Sequence, residues 1–175
     1  EAEGYTMPTP IQAKAIPPVM AGSDLIGIAQ TGTGKAAAFA LPILHRLAAD
    51  RRQVKRRSCR VLVLSPTREL ASQIAESFKT YGKRIGVTVA VIYGGVKAGG
   101  QIRAMAGGVD VLVACPGRLL DHMNEKTVEL TSVETFVLDE ADQMLDLGFL
   151  PSIRRIVRAL PKARQNLFFS ATMPK

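Results

Sequence analysis

The sequence predicts an α/β fold in which helices flank both faces of a parallel β-sheet. Three observations support it: short apolar runs recur along the chain, stretches with a helical apolar stripe separate them, and polar or glycine-rich residues follow each run. Continuously apolar runs are typical of strands covered on both faces. Because ligands bind at the carboxyl ends of such strands, the residues after each strand are candidates for function.

Length and composition fit a single domain. The chain has 175 residues, 47% of them hydrophobic, and a chain of this size buries roughly 70% of its unfolded surface. No apolar stretch reaches the ~18 residues of a membrane span, and the chain does not start like an export leader, so we expect a soluble cytoplasmic protein without membrane contact. Cys59 and Cys115 are far apart and lack ligand-spaced partners, which argues against a disulfide framework or a zinc site. We expect His45 and His122 to be surface or boundary residues.

The charge balance suggests a polyanionic partner. The formal net charge is +8, aromatic residues make up 5% of the chain, and tryptophan is absent. A basic protein with few aromatic side chains is expected to grip phosphates rather than to stack on bases.

The first predicted elements are a short helix and a strand. Thr9 is a plausible N-cap, a proline follows at the first helical position, and Gln12 is third, which together form a capping box. We expect Pro17 and Pro18 to disrupt this helix. A turn then leads into a strand at residues 25–29.

Residues 29–36, Ala-Gln-Thr-Gly-Thr-Gly-Lys-Ala, connect that strand to an alanine-rich helical run. A glycine-rich turn before a helix directs backbone N–H groups into one concavity, so the motif indicates a phosphate-binding loop. Gly32 and Gly34 let phosphate come close, and Lys35 can reach the terminal phosphates of a nucleotide. Ala36 stands where a Ser or Thr hydroxyl would ligate Mg²⁺. The alternative is a structural turn followed by an ordinary surface lysine.

The run at residues 51–60 contains six basic residues. It is either a nucleic-acid-binding arm or, as is more common, a solvated connection between helix and strand. A strand is predicted at residues 61–64, and one helical stripe follows: Leu70, Ile74, Phe78, Tyr81 and Ile85. Further strands are expected at residues 87–92, 109–114, 135–138 and 166–169, and further helices near residues 101–106, 118–123 and 149–160.

Two acidic residues, Asp139 and Glu140, directly follow the apolar strand at residues 135–138. Beside a phosphate loop, one carboxylate can hold a hydrated Mg²⁺ and its neighbour can orient and deprotonate an attacking water. The loop and the acidic pair together therefore predict a nucleotide site rather than a solvated turn.

Seven motifs follow one another along the chain: GYTMPTPIQ, AQTGTGKA, PTRELA, YGG, CPGR, DEAD with QMLDLGF, and SAT. With these motifs the sequence resembles the first of the two RecA-like domains of a DEAD-box ATP-dependent RNA helicase, most like the bacterial members, over nearly all 175 residues. The resemblance implies a RecA-like P-loop domain at residues 1–175 that uses ATP and Mg²⁺. The second RecA-like domain and its arginine fingers would be missing, so we expect a monomeric fragment that is inactive by itself.

The resemblance also implies roles for individual residues. The nucleotide-binding residues would be Tyr5, Gln12, Thr31, Gly32, Thr33, Gly34, Lys35 and Ala36, with Gln12 contacting the adenine edge as well as capping its helix. The catalytic residues would be Lys35, Asp139, which holds Mg²⁺ through water, and Glu140, the general base. RNA phosphates and sugars would contact Pro66, Thr67, Arg68, Gly94, Gly95, Pro116, Gly117 and Arg118. The residues that couple the two sites would be Asp142, Ser170 and Thr172.

Two substitutions depart from the family pattern. Ala36 replaces a threonine, and Cys115 stands where a threonine usually precedes Pro-Gly-Arg, which would remove one hydrogen bond to RNA. Ala36 favours an alternative function, a non-hydrolysing RNA-binding or regulatory module, whereas Lys35 and the acidic pair favour an ATP-dependent helicase. A P-loop kinase or a DNA-specific translocase is disfavoured by the glutamine motif and by the Asp-Glu-Ala-Asp sequence.

Overall fold

The computed structural model describes residues 7–30 and 34–172 and contains one six-stranded sheet. Its strands are β1 (Leu25–Ile28), β2 (Cys59–Leu64), β3 (Val89–Ile92), β4 (Val109–Ala114), β5 (Thr135–Leu138) and β6 (Gln165–Ser170). They lie in the order β1-β6-β5-β2-β4-β3, and every neighbouring pair is parallel. The ends of the strands differ from the sequence prediction by up to two residues, as at the starts of β2 and β3.

Helices cover both faces of this sheet. They are α1 (Pro10–Met20), α2 (Lys35–Ala49), α3 (Arg68–Tyr81), α4 (Gly99–Met105), α5 (Pro116–Asn124), α6 (Ala141–Asp146) and α7 (Leu150–Ala159). The first three pack on one face and the last four on the other. The predicted fold class, a parallel sheet flanked by helices on both faces, is confirmed. In the part of the chain that is described, no helix has the length and apolar character needed to cross a membrane.

Alternate residues of the central strands divide between two apolar cores. In β2, Val61 and Val63 face α1–α3, whereas Leu62 and Leu64 face α4–α7, and all four are buried. Strand β4 repeats the pattern in register with β2. Burial on both faces explains why these strands are continuously apolar, and each such side chain contributes about 1.5–3 kcal/mol by leaving water.

Helix α1 passes through Pro17 and Pro18, which the sequence analysis wrongly expected to disrupt it. Proline keeps a helical φ but withholds its own N–H and crowds the carbonyl four residues earlier, so a helix continues through it only where other contacts hold it. Here Val19 is fully buried in the core against α2, and the Ala21 N–H donates to the Pro17 carbonyl beyond the two prolines. Tertiary packing therefore outweighs the local penalty.

Two further helical predictions are corrected. The apolar stripe at residues 70–85 is not one helix, because α3 ends at Tyr81 and a separate 3₁₀ turn at Lys83–Ile85 carries Ile85. Gly82 separates the two; a Cβ there would lie 2.3 Å from a methyl carbon of Val87, so the turn needs glycine. Helix α6 was not predicted, since it begins directly after the acidic pair and is only six residues long.

Candidate functional site

The carboxyl ends of the parallel strands meet at one rim of the sheet, and the strand order divides this rim into two halves. Strands β1, β6 and β5 are adjacent, and they end at the predicted phosphate loop, at residues 170–172 and at residues 139–140. Strands β2, β4 and β3 are adjacent, and they end at residues 66–68, 116–118 and 94–95. The described residues among those predicted to bind nucleotide thus lie in the β1–β6–β5 half, and those predicted to bind RNA lie in the β2–β4–β3 half.

Lys35 lies between the two acidic residues of the β1–β6–β5 half. Its Nζ is 2.6 Å from Glu140 Oε1 and 2.9 Å from Asp139 Oδ1. The side chain comes from the first residue of α2, whereas Asp139 follows β5 and Glu140 precedes α6 with a left-handed φ of 55°. The three residues are 6%, 3% and 6% exposed, in the order Lys35, Asp139, Glu140. The structure therefore brings all three predicted catalytic residues together in a buried cluster.

Burial and the neighbouring charges both shift the pKa values of Lys35 and Asp139. Burial by itself lowers the pKa of Lys35, but the two carboxylates outweigh it and hold that pKa above its ordinary value. Burial raises the pKa of Asp139, Glu140 adds to the shift, and Lys35 offsets it only in part. When both acids are ionised, two carboxylates and one ammonium leave an excess of one negative charge. A cation that arrives at this site would therefore be attracted.

These residues fit a magnesium ion that is held mostly by phosphate and water. Carboxylate oxygens are the hard ligands that Mg²⁺ prefers, and it commonly uses one or two carboxylates together with substrate phosphates and several waters. Within residues 7–30 and 34–172, no group of three or more His, Cys, Asp or Glu side chains could hold a metal ion. Asp139 would therefore hold Mg²⁺ only together with a nucleotide.

Gln12 connects the start of α1 to the end of the predicted phosphate loop. Its Oε1 accepts from the Thr9 N–H at 3.1 Å and its own N–H donates to Thr9 Oγ1 at 3.4 Å, so the predicted capping box is confirmed. Its Nε2 donates to the Gly34 carbonyl at 3.1 Å. Gly34 has a φ of 79°, and a Cβ there would lie 2.5 Å from that Nε2, so this position requires glycine. The contact of Gln12 with adenine stays a prediction.

The remaining predicted nucleotide-binding residues fall into two groups. Four of them lie outside the described residues: Tyr5, Thr31, Gly32 and Thr33. Ala36 lies in the first turn of α2, where it is partly buried and packs against the core on the α1–α3 side. Its methyl group offers no ligand to a metal ion.

Asp142, Ser170 and Thr172 are in mutual contact beside this cluster. The Asp142 N–H donates to Ser170 Oγ at 3.3 Å, Thr172 Oγ1 donates to Asp142 Oδ2 at 3.1 Å, and Ser170 Oγ donates to the Thr172 carbonyl at 2.6 Å. Burial acts to raise the pKa of Asp142, but the hydrogen bonds with Ser170 and Thr172 outweigh it and hold that pKa below its ordinary value. The residues predicted to couple the two sites therefore form one network, whose coupling role stays a prediction.

In the β2–β4–β3 half, two arginines flank the loop at residues 93–96. The Arg68 guanidinium carbon lies 4.8 Å from the centroid of the Tyr93 ring, and Arg118 Nη1 donates to the Val96 carbonyl at 2.8 Å. Thr67 caps α3, because its Oγ1 accepts from the N–H of Leu70 at 3.2 Å. Pro66, Gly94, Gly95, Pro116 and Gly117 complete this half, which the structure therefore assembles from three separate motifs.

Cys115 occupies the N-cap position of α5, and its side chain provides no capping hydrogen bond to that helix. Burial raises the pKa of its thiol to about 11, and Glu69 adds to the shift. The sulfur therefore stays protonated and neutral near pH 7. A threonine here would supply the stronger hydroxyl acceptor that N-caps favour.

The basic run between α2 and β2 is held by acidic residues at the opposite end of the sheet. Arg52 Nη2 and Arg60 Nε each lie 2.6 Å from a carboxylate oxygen of Glu134, which directly precedes β5. Lys55 Nζ lies 2.8 Å from Glu129 Oε1. These ion pairs neutralise part of the charge of the run, which lies at the end of the sheet opposite the rim. This position favours the interpretation of residues 51–60 as a solvated connection between helix and strand over that of a nucleic-acid-binding arm.

Sequence reasoning missed one buried polar pair in the β2–β4–β3 half. His122 was wrongly expected at the surface or boundary; it is 3% exposed and bonds to Gln101, which is 8% exposed and was not a candidate. His45 is exposed, as expected. The spacing of four between Arg118 and His122 places both on one side of α5, which was a usable signal. Nothing in the sequence pattern connects Gln101 to them, because that contact joins two helices.

Comparison with known proteins gives one consistent result. A family model described as DEAD/DEAH box helicase matches residues 9–175. The ATP-dependent RNA helicase DeaD of Buchnera aphidicola is 46% identical over 173 residues, which cover 98% of this chain and 28% of the relative. The DEAD-box ATP-dependent RNA helicase CshA of Bacillus cereus is 48% identical over 174 residues, which cover 99% of this chain and 32% of the relative.

A solved structure agrees with these relatives. The crystal structure of a DEAD box protein from Methanococcus jannaschii matches with a TM-score of 0.88 and 37% sequence identity, over 99% of this chain and 46% of that one. The chain thus spans less than one third of the length of the curated relatives named above, and just under half of the solved chain.

Proposed function

The chain belongs to the DEAD/DEAH box helicase family, and from that premise we propose that it is the ATP-binding domain of an ATP-dependent RNA helicase. Such a protein couples ATP binding and hydrolysis to the unwinding of RNA duplexes. The observation that carries the proposal is the contact of Lys35 with both Asp139 and Glu140 at the sheet rim. Because the relatives are much longer than this chain, we further propose that the domain works together with a second RecA-like domain. A cytoplasmic location is part of the same proposal.

In the β1–β6–β5 half, the chain's own residues would bind and orient the nucleotide. The backbone N–H groups of the phosphate loop and the N-terminus of α2 receive the phosphates. Lys35 shares its ammonium between the acidic pair and the terminal phosphates, and Glu140 orients and deprotonates the attacking water. Mg²⁺, when bound through water to Asp139, would neutralise charge on the phosphates.

In the β2–β4–β3 half, the chain would bind the RNA backbone. Arg68 and Arg118 supply positive charge on either side of the loop at residues 93–96. A Cβ at Gly94 or Gly117 would meet no described atom within 4 Å, and neither residue has a positive φ. The fold of the described chain therefore does not require glycine at these two positions, and the bare backbone leaves room for a phosphate to approach.

Ala36 supports a second candidate, a non-hydrolysing RNA-binding or regulatory module. In this alternative the domain keeps its RNA surface and uses Mg²⁺-ATP poorly, because the helix that follows the phosphate loop lacks the metal-binding hydroxyl. The buried cluster of Lys35, Asp139 and Glu140 supports the helicase domain instead, since three charged side chains are kept at the place where catalysis would occur.

The first test of the proposed function is the salt dependence of RNA binding. We expect the 175-residue chain to bind single-stranded RNA weakly, with a log affinity that falls by about 0.7 per log unit of salt for each phosphate neutralised. Fluorescence anisotropy of a labelled RNA, titrated between ~50 mM and ~200 mM salt, measures this slope. Arg68→Gln and Arg118→Gln should each reduce the slope by about 0.7.

The matched control for these variants is Arg158→Gln, which removes the same charge from the exposed C-terminal end of α7. It should leave both the affinity and the slope nearly unchanged, because this end of α7 is remote from the rim. An RNA affinity that does not respond to salt, or an equal effect of all three substitutions, would contradict the proposed RNA surface.

We expect the isolated chain neither to unwind RNA nor to turn over ATP at a useful rate. Charge on the transferring phosphoryl group is commonly stabilised by an arginine finger that contributes about 10³–10⁵ in rate, and we expect the second domain to supply that arginine. Phosphate release with and without RNA measures the rate. Robust RNA-stimulated release by the 175-residue chain would refute this expectation.

A further inference from the structure

Gln101 contacts both ends of the loop at residues 93–96. Its Nε2 donates to the Tyr93 carbonyl at 2.8 Å. Its Oε1 lies 3.4 Å from Arg118 Nη1, which donates to the Val96 carbonyl at 2.8 Å. One buried amide on α4 therefore fixes the start of the loop directly and its end through Arg118. The two glycines predicted to contact RNA lie between these two fixed points.

His122 holds that amide in a single orientation. Its Nε2 lies 2.8 Å from Gln101 Oε1, and its Nδ1 lies 2.8 Å from Thr127 Oγ1. Since Gln101 Oε1 is an acceptor, His122 Nε2 must carry the hydrogen. Nδ1 of the neutral ring is then an acceptor that faces the Thr127 hydroxyl, whose one hydrogen is shared between Nδ1 and the His122 carbonyl at 3.1 Å. If the Gln101 amide were flipped, its N–H₂ group would face the N–H donors of both His122 and Arg118, and neither hydrogen bond could form.

The neutral ring is the form that this environment favours. Burial lowers the pKa of His122 and the Arg118 guanidinium lowers it further, whereas Asp121 partly opposes both. Two apolar side chains would fill the space between α4 and α5 without the cost of burying polar groups. The polar pair of Gln101 and His122 instead fixes the positions of its neighbours, because its hydrogen bonds reach the Tyr93 carbonyl and the Arg118 guanidinium.

We propose that Gln101 and His122 are positioning residues for RNA binding, which hold Arg118 and the Gly94–Gly95 loop ready for phosphate without touching RNA themselves. The inference rests on the proposed function, because it assumes that Arg118 and this loop contact RNA. Arg68, which belongs to the PTRELA motif, also contacts this loop, because its guanidinium lies over the Tyr93 ring. A side chain and a loop that are already ordered lose less freedom when the ligand binds.

The test compares RNA affinity in Gln101→Leu, Arg118→Gln and the double variant of the 175-residue chain. We expect Gln101→Leu to weaken binding of labelled single-stranded RNA by about 5- to 20-fold, since the Arg118 side chain and the loop must then be ordered on binding. In the Arg118→Gln background the same change should cost less, because the arginine that Gln101 positions is gone and only its direct hold on the loop through Tyr93 is lost. Gln53→Leu, the same chemical change at an exposed residue before β2, is the matched control.

Substitutions at His122 give an independent readout. His122→Leu should weaken RNA binding as Gln101→Leu does, whereas His122→Gln should keep most of the affinity, because its amide can still donate to Gln101 Oε1. The thermal unfolding midpoint and ATP affinity of His122→Gln should match those of the parent. A merely structural role would not produce the coupling to Arg118 or the rescue by glutamine.

The possible results distinguish the positioning inference from the proposed function. If the parent binds RNA with salt dependence but Gln101→Leu has the same effect with and without Arg118, the positioning inference is wrong and the proposed function stands. If Gln101→Leu and His122→Leu reduce RNA and ATP affinity in parallel with a lower unfolding midpoint, the pair is structural and the inference is again wrong. If the parent shows no salt-dependent RNA binding, the proposed function fails and the inference fails with it.

Discussion

Lys35→Met is expected to reduce the affinity for ATP at least about a hundredfold. A lysine that reaches the terminal phosphates makes hydrogen bonds to charged groups, each worth about 1.5–3 kcal/mol, and methionine replaces it with an apolar chain of similar length. Titration calorimetry with ATP and AMP measures the change. AMP should be affected much less, because it lacks the terminal phosphates that Lys35 would contact.

The same substitution should destabilise the unliganded protein at neutral pH. Lys35 is the cation that lies 2.6 Å from Glu140 and 2.9 Å from Asp139, and both carboxyl groups are buried. Removing one partner of a buried ion pair typically costs about 3–5 kcal/mol, because the opposite charge stays buried without compensation. Urea unfolding of the parent and the variant gives this difference directly.

The destabilisation should depend on pH with a defined sign. The pKa of folded Asp139 already lies above its ordinary value, and loss of Lys35 would raise it further. An acid whose folded pKa is raised destabilises the fold where it must ionise, so the cost is absent below its unfolded pKa and grows as pH rises to the folded pKa. The difference between variant and parent should therefore shrink as the pH falls from 7 towards the ordinary carboxyl range. The raised pKa of Lys35 stabilises the fold throughout this range, because that contribution is fully present below the unfolded pKa of lysine and is lost only as the pH rises through the folded pKa.

A double variant separates the two effects of Lys35. Lys35→Met combined with Glu140→Gln removes one of the two buried negative charges, so it should recover much of the stability and none of the ATP affinity. A parent and a Lys35→Met variant of equal stability at pH 7 would show that the ion pairs do not hold in solution. Unchanged ATP affinity would remove Lys35 from the proposed nucleotide site.

Ala36→Thr is expected to raise the affinity for Mg²⁺-ATP about ten- to hundredfold, which corresponds to about 1.5–3 kcal/mol for one interaction with a charged group. Mg²⁺ keeps bound water readily, so Ala36 should weaken binding without abolishing it. The effect on catalysis should be larger, because the metal must then be held against developing charge. Calorimetry with ATP and AMP, with and without Mg²⁺, isolates the metal-dependent part of the affinity.

Ala36→Val is the matched control, since valine has the shape of threonine and lacks the hydroxyl. It reports any effect of a larger, β-branched side chain where Ala36 packs against the core. Threonine should exceed valine only for ATP in the presence of Mg²⁺. If threonine and valine give the same affinity for Mg²⁺-ATP, Ala36 does not weaken nucleotide binding, and the helicase domain gains support over the non-hydrolysing module.

The fold class, the approximate place of every strand and the residues at the rim could be predicted from the amino-acid sequence. These features are local. A strand buried on both faces must be apolar throughout, as Val61 to Leu64 are, and a turn from strand to helix that needs positive φ selects glycine, as at Gly34. The capping box of Thr9 and Gln12 is local in the same sense, since its partners are three residues apart.

Which of these residues contact one another depends on the arrangement of the strands and helices in space. Along the chain, the three motifs predicted to bind RNA lie between the phosphate loop and the acidic pair, and the strand order β1-β6-β5-β2-β4-β3 brings the loop and the acidic pair into one half of the rim. The contacts of Lys35 with Asp139 and Glu140, and of Gln101 with His122, each join different helices or strands. Such contacts depend on which strands are neighbours and on how helices pack across them. The continuation of α1 through its two prolines is also non-local, because the packing of Val19 in the core stabilises the helix there. Local sequence patterns contain no information on these non-local choices, because they report burial and backbone conformation and not the partner of a side chain.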